Sequence, residues 1–121
     1  MLVALLSMLI FHTRDEMDTE VLRKQQYWMS KGRNKNTYPV VFAGDSRVFR
    51  GLSPKHFSSE FMDLAAYNYA FWSNGFGKDY LEGLEAKVES SADTRVIILG
   101  LSPHSLTRKA ARCDHYHDVM K

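Results

Sequence analysis

Residues Tyr38–Gly51 read YPVVFAGDSRVFRG. Four apolar residues, Val40 to Ala43, run unbroken into Gly44. An acid, a hydroxyl and a base follow as Asp45, Ser46 and Arg47. A short continuous apolar run stopped by glycine is the pattern of a parallel strand covered on both faces. Pro39 suits the first position of such a strand, where no ladder N–H is needed. The three polar residues therefore stand at the carboxyl end of a buried strand, where open parallel sheets hold their ligands.

Strand and helix patterns alternate outward from this stretch. Downstream, LSPKHFSSEFMDL predicts a turn and a short helix, with Ser53 as cap and Pro54 in the first turn. AAYNYA, Ala65 to Ala70, is a weaker strand, and FWSNGFG is a loop. From Lys78 to about Glu89, the residues Leu81, Leu84 and Val88 mark one helical face. SSADT breaks that helix, and RVIILGL, Arg95 to Leu101, is the strongest strand signal. SPHSLTRKAARCDHYHDVMK predicts a loop and then a polar helix. Upstream, Asp15 to about Lys31 is helical in pattern, with Met17, Val21 and Trp28 near one face and Leu22 and Met29 beside it. KGRNKNTYP ends it.

Strands alternating with helices predict an α/β fold around a parallel sheet. Three strands are predicted, against about five in a usual open sheet of this kind. The last strand is the most hydrophobic, and no further strand is available to pair with it, a liability for a finished domain. The expectation is that the chain is the N-terminal portion of a longer protein.

The bulk composition narrows the function classes. The chain has 121 residues, 45% hydrophobic and 25% charged, enough for one domain with a modest core. A net charge of +2 with no dense basic run gives no ground for a nucleic-acid partner. The single cysteine, Cys113, excludes an internal disulfide. No cysteine–histidine spacing of a metal site and no glycine-rich phosphate loop occur, so no metal or cofactor is expected.

The N-terminus, MLVALLSMLIF, is apolar apart from Ser7. Eleven helical residues reach about 16 Å, short of the roughly 30 Å of a hydrocarbon core. Three readings stand: the remnant of a membrane anchor, a short helix on a membrane surface, and a core helix. The first is preferred, which divides the chain into residues 1–13 as anchor, 14–37 as a linker helix and loop, and 38–121 as the α/β domain. The flank HTRDEMDTEVLRK is mixed in charge with acid leading, which fits an extracytoplasmic side, periplasmic or cell-surface.

Three loops share the carboxyl edge of the predicted sheet: GDSR, FWSNGFG and SPHS. All hold small or polar residues, so the edge is the candidate site. At the start of a helix, Ser46 points out of the sheet edge, and its own N–H faces a substrate oxygen. Asp45 suits orienting the turn better than acting as a base. Arg47 is either an anion-binding group or a solvated charge. Tyr67, Tyr69, Phe71 and Trp72 fit either a sugar site or, more simply, core and loop packing.

VVFAGDSR resembles the first block of the SGNH (GDSL-type) hydrolase superfamily, and SRVFRGLSP is closer to its membrane-anchored, polysaccharide-modifying members. The resemblance covers roughly Tyr38 to Leu106. It implies a three-layer, flavodoxin-like parallel sheet, with the first three strands present here after a hydrophobic N-terminal helix. It implies Ser46 as the nucleophile of an esterase or acyltransferase. Its second block implies an Asn, matched by Asn68, and a glycine N–H for the oxyanion; Ser73 stands nearest that position and Gly75 two residues on. Its third block, G-x-N-D, falls on Gly100-Leu101-Ser102-Pro103, so Ser102 stands where the family has Asn. Its last block implies an Asp-x-x-His pair. Asp114 and His117 have that spacing; His104 is an alternative base, and a pair beyond Lys121 is a third possibility. The implied substrate is an acylated glycan or small ester, with envelope polysaccharide machinery as partner and no cofactor. A non-catalytic binding or scaffolding module of the same fold is the alternative. A domain in which Asp45 ligates a cation is a more distant one.

Overall fold

In the computed structural model, residues 24–61 and 64–121 are described. The apolar segment Met1–Phe11 and the start of the first predicted helix lie outside them. Among the described residues, no helix is long and apolar enough to cross a membrane.

The chain folds as an α/β domain around a three-stranded parallel sheet of order β2-β1-β3. Helix α1 covers residues 24–33. Strand β1 (Val40–Gly44) leads into α2 (Ser46–Gly51) and α3 (Pro54–Glu60), then β2 (Ala66–Asn68). Helix α4 (Lys78–Glu85), β3 (Val96–Gly100), a 3-10 turn (Ala110–Arg112) and α5 (Asp114–Met120) complete it. β1 pairs with β2 from Val40↔Ala66 to Phe42↔Asn68, and with β3 from Val40↔Val96 to Gly44↔Gly100.

Every residue of β1 is buried, as its unbroken apolar run predicts for a central strand. Its side chains alternate between two cores. Val40 and Phe42 meet Val48 of α2 and Phe57 of α3. Val41 and Ala43 meet Trp28 of α1, Tyr80 and Leu84 of α4, and Tyr116 and Val119 of α5. Helices thus cover both faces, giving three layers. The connection from β1 to β2 runs on one face and that from β2 to β3 on the other, as right-handed crossovers require when the strand order reverses direction.

Two predicted features differ in detail. The helix predicted from Lys78 to about Glu89 stops at Glu85, because Val88 forms a bridge with Tyr38 and the Glu89 N–H donates to Tyr38 O at 2.9 Å. The face of α4 that meets the core is Tyr80 and Leu84, while Leu81 is exposed. Tyr80 is drawn inside by its hydroxyl, which donates to Tyr69 O at 2.9 Å and accepts from the Gly44 N–H at 3.0 Å. Ser53 and Pro54 open α3 as the sequence predicts, with Ser53 Oγ accepting from the His56 N–H at 3.3 Å.

β3 is unlike β1. Val96, Ile97 and Leu99 are 39%, 43% and 48% exposed. The strand is apolar and lies at the edge of the sheet; Ile98 packs against the Val40, Phe42 and Val48 cluster, while Ile97 and Leu99 on the other face are exposed.

Candidate functional site

The site is built where β1 ends. Gly44 has φ of 150°, and a Cβ there would lie 2.7 Å from Val48 Cγ2 and 2.8 Å from Gly100 O. A Cβ on Gly100, its register partner, would also strike Val48 Cγ2. The paired glycines let α2 descend onto the sheet, and Val48 fills the hollow between them.

Asp45 follows, buried and extended, and caps α2. Its Oδ1 accepts from the Arg47 N–H at 2.9 Å, and its Oδ2 accepts from Ser102 Oγ at 2.8 Å. The exposed Arg47 guanidinium stands 4.0 Å from Oδ2. Ser102 is itself buried; its Oγ accepts from the Ser105 N–H at 3.2 Å and its N–H donates to Ser105 Oγ at 2.9 Å. Asp45 therefore ties the loop after β1 to the loop after β3. The strand order reverses at β1, and a parallel sheet leaves its ligand crevice at such a reversal.

Ser46 is the first residue of α2 and is half-buried. Its hydroxyl makes no hydrogen bond among the described residues. It is free to meet a ligand, but no described imidazole is bonded to it to take its proton, which a serine nucleophile needs.

The other predicted residues divide. Asn68 is buried and engaged at both ends of its amide. Its Nδ2 donates to Val48 O at 3.1 Å and Leu52 O at 2.9 Å, and its Oδ1 accepts from the Ala70 N–H at 3.1 Å. It satisfies the open Leu52 carbonyl, shares Val48 O with the Leu52 N–H, and so fixes the end of α2 to β2. Asn68→Ala is expected to cost about 2–4 kcal/mol, because Leu52 O and the Ala70 N–H lose their partner together. Chemical denaturation measures it; a loss under about 1 kcal/mol would show that water replaces the amide.

The Gly75 N–H donates to Ala110 O at 2.9 Å and is engaged there. Ser73 (φ 50°) lines a small hollow of about 130 Å³ with His104, Lys109, Asp114 and His115. This hollow brings together Ser73, His104 and Asp114, but not Ser46 or His117. Asp114 pairs with Arg112 at 3.5 Å, and His117 Nε2 lies 3.7 Å from Asp79. The two members of the Asp-x-x-His spacing thus have different partners. Tyr69 and Phe71 are fully buried, Tyr67 is half-buried and Trp72 exposed.

Two residues stand out that the sequence reading passed over. His115 stacks against Trp72 and sets its edge to Trp28; its buried Nδ1 has no partner, and burial lowers its pKa. Lys31 is 6% exposed, and its Nζ donates to Ala70 O at 2.6 Å. That Nζ lies 5.1, 4.6 and 5.2 Å from the ring centroids of Trp28, Phe49 and Phe71. Among the described residues no carboxylate pairs with it. Its signal in the sequence is its place three residues after Trp28, on the same helix face.

Comparison with known proteins found no family model, no curated protein and no solved structure that matches the chain.

Proposed function

We propose that the chain carries the first three strand–loop units of an SGNH-like serine esterase or O-acyltransferase that acts on a cell-surface glycan. The observation that supports this most is the place of Ser46: first in α2, beyond the central strand, its hydroxyl unbonded among the described residues. In this reading Ser46 Oγ attacks the acyl carbon as a base takes its proton. The alcohol leaves, and the acyl-enzyme passes its acyl group to water or a sugar hydroxyl. Met1–Phe11 serves as part of a membrane anchor, with the domain on the extracytoplasmic side. No imidazole among the described residues is bonded to Ser46, so the chain by itself is expected to turn over slowly or not at all.

A fluorophosphonate probe tests the reading on the intact protein. Labelling that disappears in Ser46→Ala is the expected result, and equal labelling of both proteins would sink it. A second reading, a non-catalytic binding module, rests on specific contacts. Ser102 turns its hydroxyl to Asp45, and the Gly75 N–H is held by Ala110, so neither is presented as an oxyanion donor. Absence of labelling in either protein would favour this second reading over the first.

A further inference from the structure

A single exposed leucine needs no explanation, but the loop that follows β3 holds two of them beside three cations. Leu101 is 63% and Leu106 69% exposed, the highest values among the described large hydrophobic residues. Arg108, Lys109 and Arg112 follow, all exposed. From Arg95 to Cys113 the sequence has no aspartate or glutamate. Asp45, which bonds to this loop, is buried, and Asp114, just after it, stands 3.5 Å from Arg112. Arg108 and Lys109 have no carboxylate partner among the described residues.

The leucines stand on a pinned backbone. The Ser102 N–H donates to Ser105 Oγ at 2.9 Å, the Ser105 N–H donates to Ser102 Oγ at 3.2 Å, and both serines are buried. Thr107 donates to His104 O from its N–H at 3.0 Å and from its hydroxyl at 2.8 Å. The Ala110 N–H donates to Thr107 Oγ1 at 3.2 Å, and the Ala111 N–H donates to Thr107 O at 3.0 Å. Leu106 lies between the two bonded segments and is held in water, at a cost that an apolar cover would remove.

The two kinds of side chain select the cover. Cations alone would suit any polyanion, and leucines alone any apolar surface. Together in one loop they suit a bilayer with anionic headgroups, where leucines reach the acyl boundary and arginine and lysine meet the charge. From these observations we infer that the loop from Leu101 to Arg112 docks on an anionic lipid surface, with Leu101 and Leu106 at the acyl boundary and Arg108, Lys109 and Arg112 among the headgroups. Ser102 Oγ donates to Asp45 Oδ2 at 2.8 Å, so docking sets the sheet edge that carries Ser46 against the membrane. The inference needs neither the serine chemistry nor Met1–Phe11, and binding is read without turnover, so it can fail separately from both.

The test uses the full chain with a nitrobenzoxadiazole label at Leu106→Cys or at Ser91→Cys, the latter in the turn before β3 at the far end of that strand. Cys113 is buried, and the unsubstituted protein controls for labelling there. The vesicles are phosphatidylcholine alone or an equal mixture of phosphatidylcholine and phosphatidylglycerol. The label at position 106 is expected to brighten and shift to the blue on the mixed vesicles and not on the neutral ones, while the label at 91 stays unchanged. It reads this loop whatever else in the chain meets lipid. Without labels, Arg108→Gln with Lys109→Gln is expected to weaken binding to the mixed vesicles by about tenfold or more, at about fivefold per lost cation. Leu106→Ser is expected to weaken it by about fivefold. All three side chains are exposed, so the variants should fold, and an unchanged circular dichroism melt confirms it. No change at position 106 on the mixed vesicles, an equal change on neutral vesicles, an equal change at position 91, or no effect of the paired cation variant would each overturn the assignment. If that pair abolishes binding while Leu106→Ser leaves it intact, the surface belongs to a soluble polyanion and the lipid assignment falls.

Discussion

Gly44→Ala is expected to destabilise the domain by about 3 kcal/mol or more, through backbone strain at positive φ added to overpacking. The glycine sits at φ 150°, and the new methyl would meet Val48 Cγ2 at 2.7 Å and Gly100 O at 2.8 Å. Val48 cannot withdraw freely, because it is also packed with Val40, Phe42 and Ala70. The Gly100 carbonyl belongs to the neighbouring strand and moves only with the sheet. Gly51, with nothing within 4 Å of a built Cβ, is the internal control. Gly51→Ala at the end of α2 is expected to be neutral or to stabilise by up to about 1 kcal/mol. Urea denaturation of both variants decides the matter. A Gly44→Ala loss below about 1 kcal/mol would mean that α2 can lift from the sheet, and that Ser46 is not rigidly placed.

The second large effect concerns Lys31. Burial lowers its pKa from 10.5 to about 7, while the three ring faces and the Ala70 carbonyl favour the charged form. Between pH 7 and 10.5 the unfolded chain holds a proton at Lys31 that the folded chain has released. The unfolded state then binds more protons, so stability rises with pH across that window. Below pH 7 both states are charged, and the full penalty of burial applies. The rise is at most roughly 4–5 kcal/mol for a shift of this size. Burial also lowers the pKa of Lys87, which adds in the same direction.

Tyr67, Tyr69 and Tyr80 work the other way, since burial raises the pKa of each. Above pH 10 the unfolded chain gives up phenol protons that the folded chain keeps, and stability falls. A maximum near pH 10 is the expected profile. Lys31→Met should flatten most of the rise between pH 7 and 10 and stabilise the protein at pH 7. Denaturation midpoints measured from pH 6 to 11 test this; an unchanged slope in Lys31→Met would remove Lys31 as its source.

Much of the frame was legible in the sequence because it depends on local patterns. The apolar run of β1 specifies a strand buried on both faces, and it is one. Ser53 and Pro54 open α3 by short-range chemistry that needs no tertiary help. The limits of the sequence reading lie where distant groups decide. Tyr80 is not among the residues marking the predicted face of α4, yet Gly44 and Tyr69 supply partners that hold its hydroxyl inside. Asn68 matches a motif position by spacing, yet its amide is held by the end of α2. Asp114 and His117 have a catalytic-looking spacing, but on α5 they stand beside different side chains, Arg112 and Asp79. Spacing along the chain carries no information about which side chains the fold later presents to them.

β3 carries one more consequence, for the behaviour of the chain in solution. Its outer edge, which pairs with no strand among the described residues, and its exposed Val96, Ile97 and Leu99 form a ready template for another strand. While that edge is uncovered, folding competes with self-association, and the balance shifts with protein concentration. The same row of residues that would let the sheet grow is thus the place where a second chain would add to it.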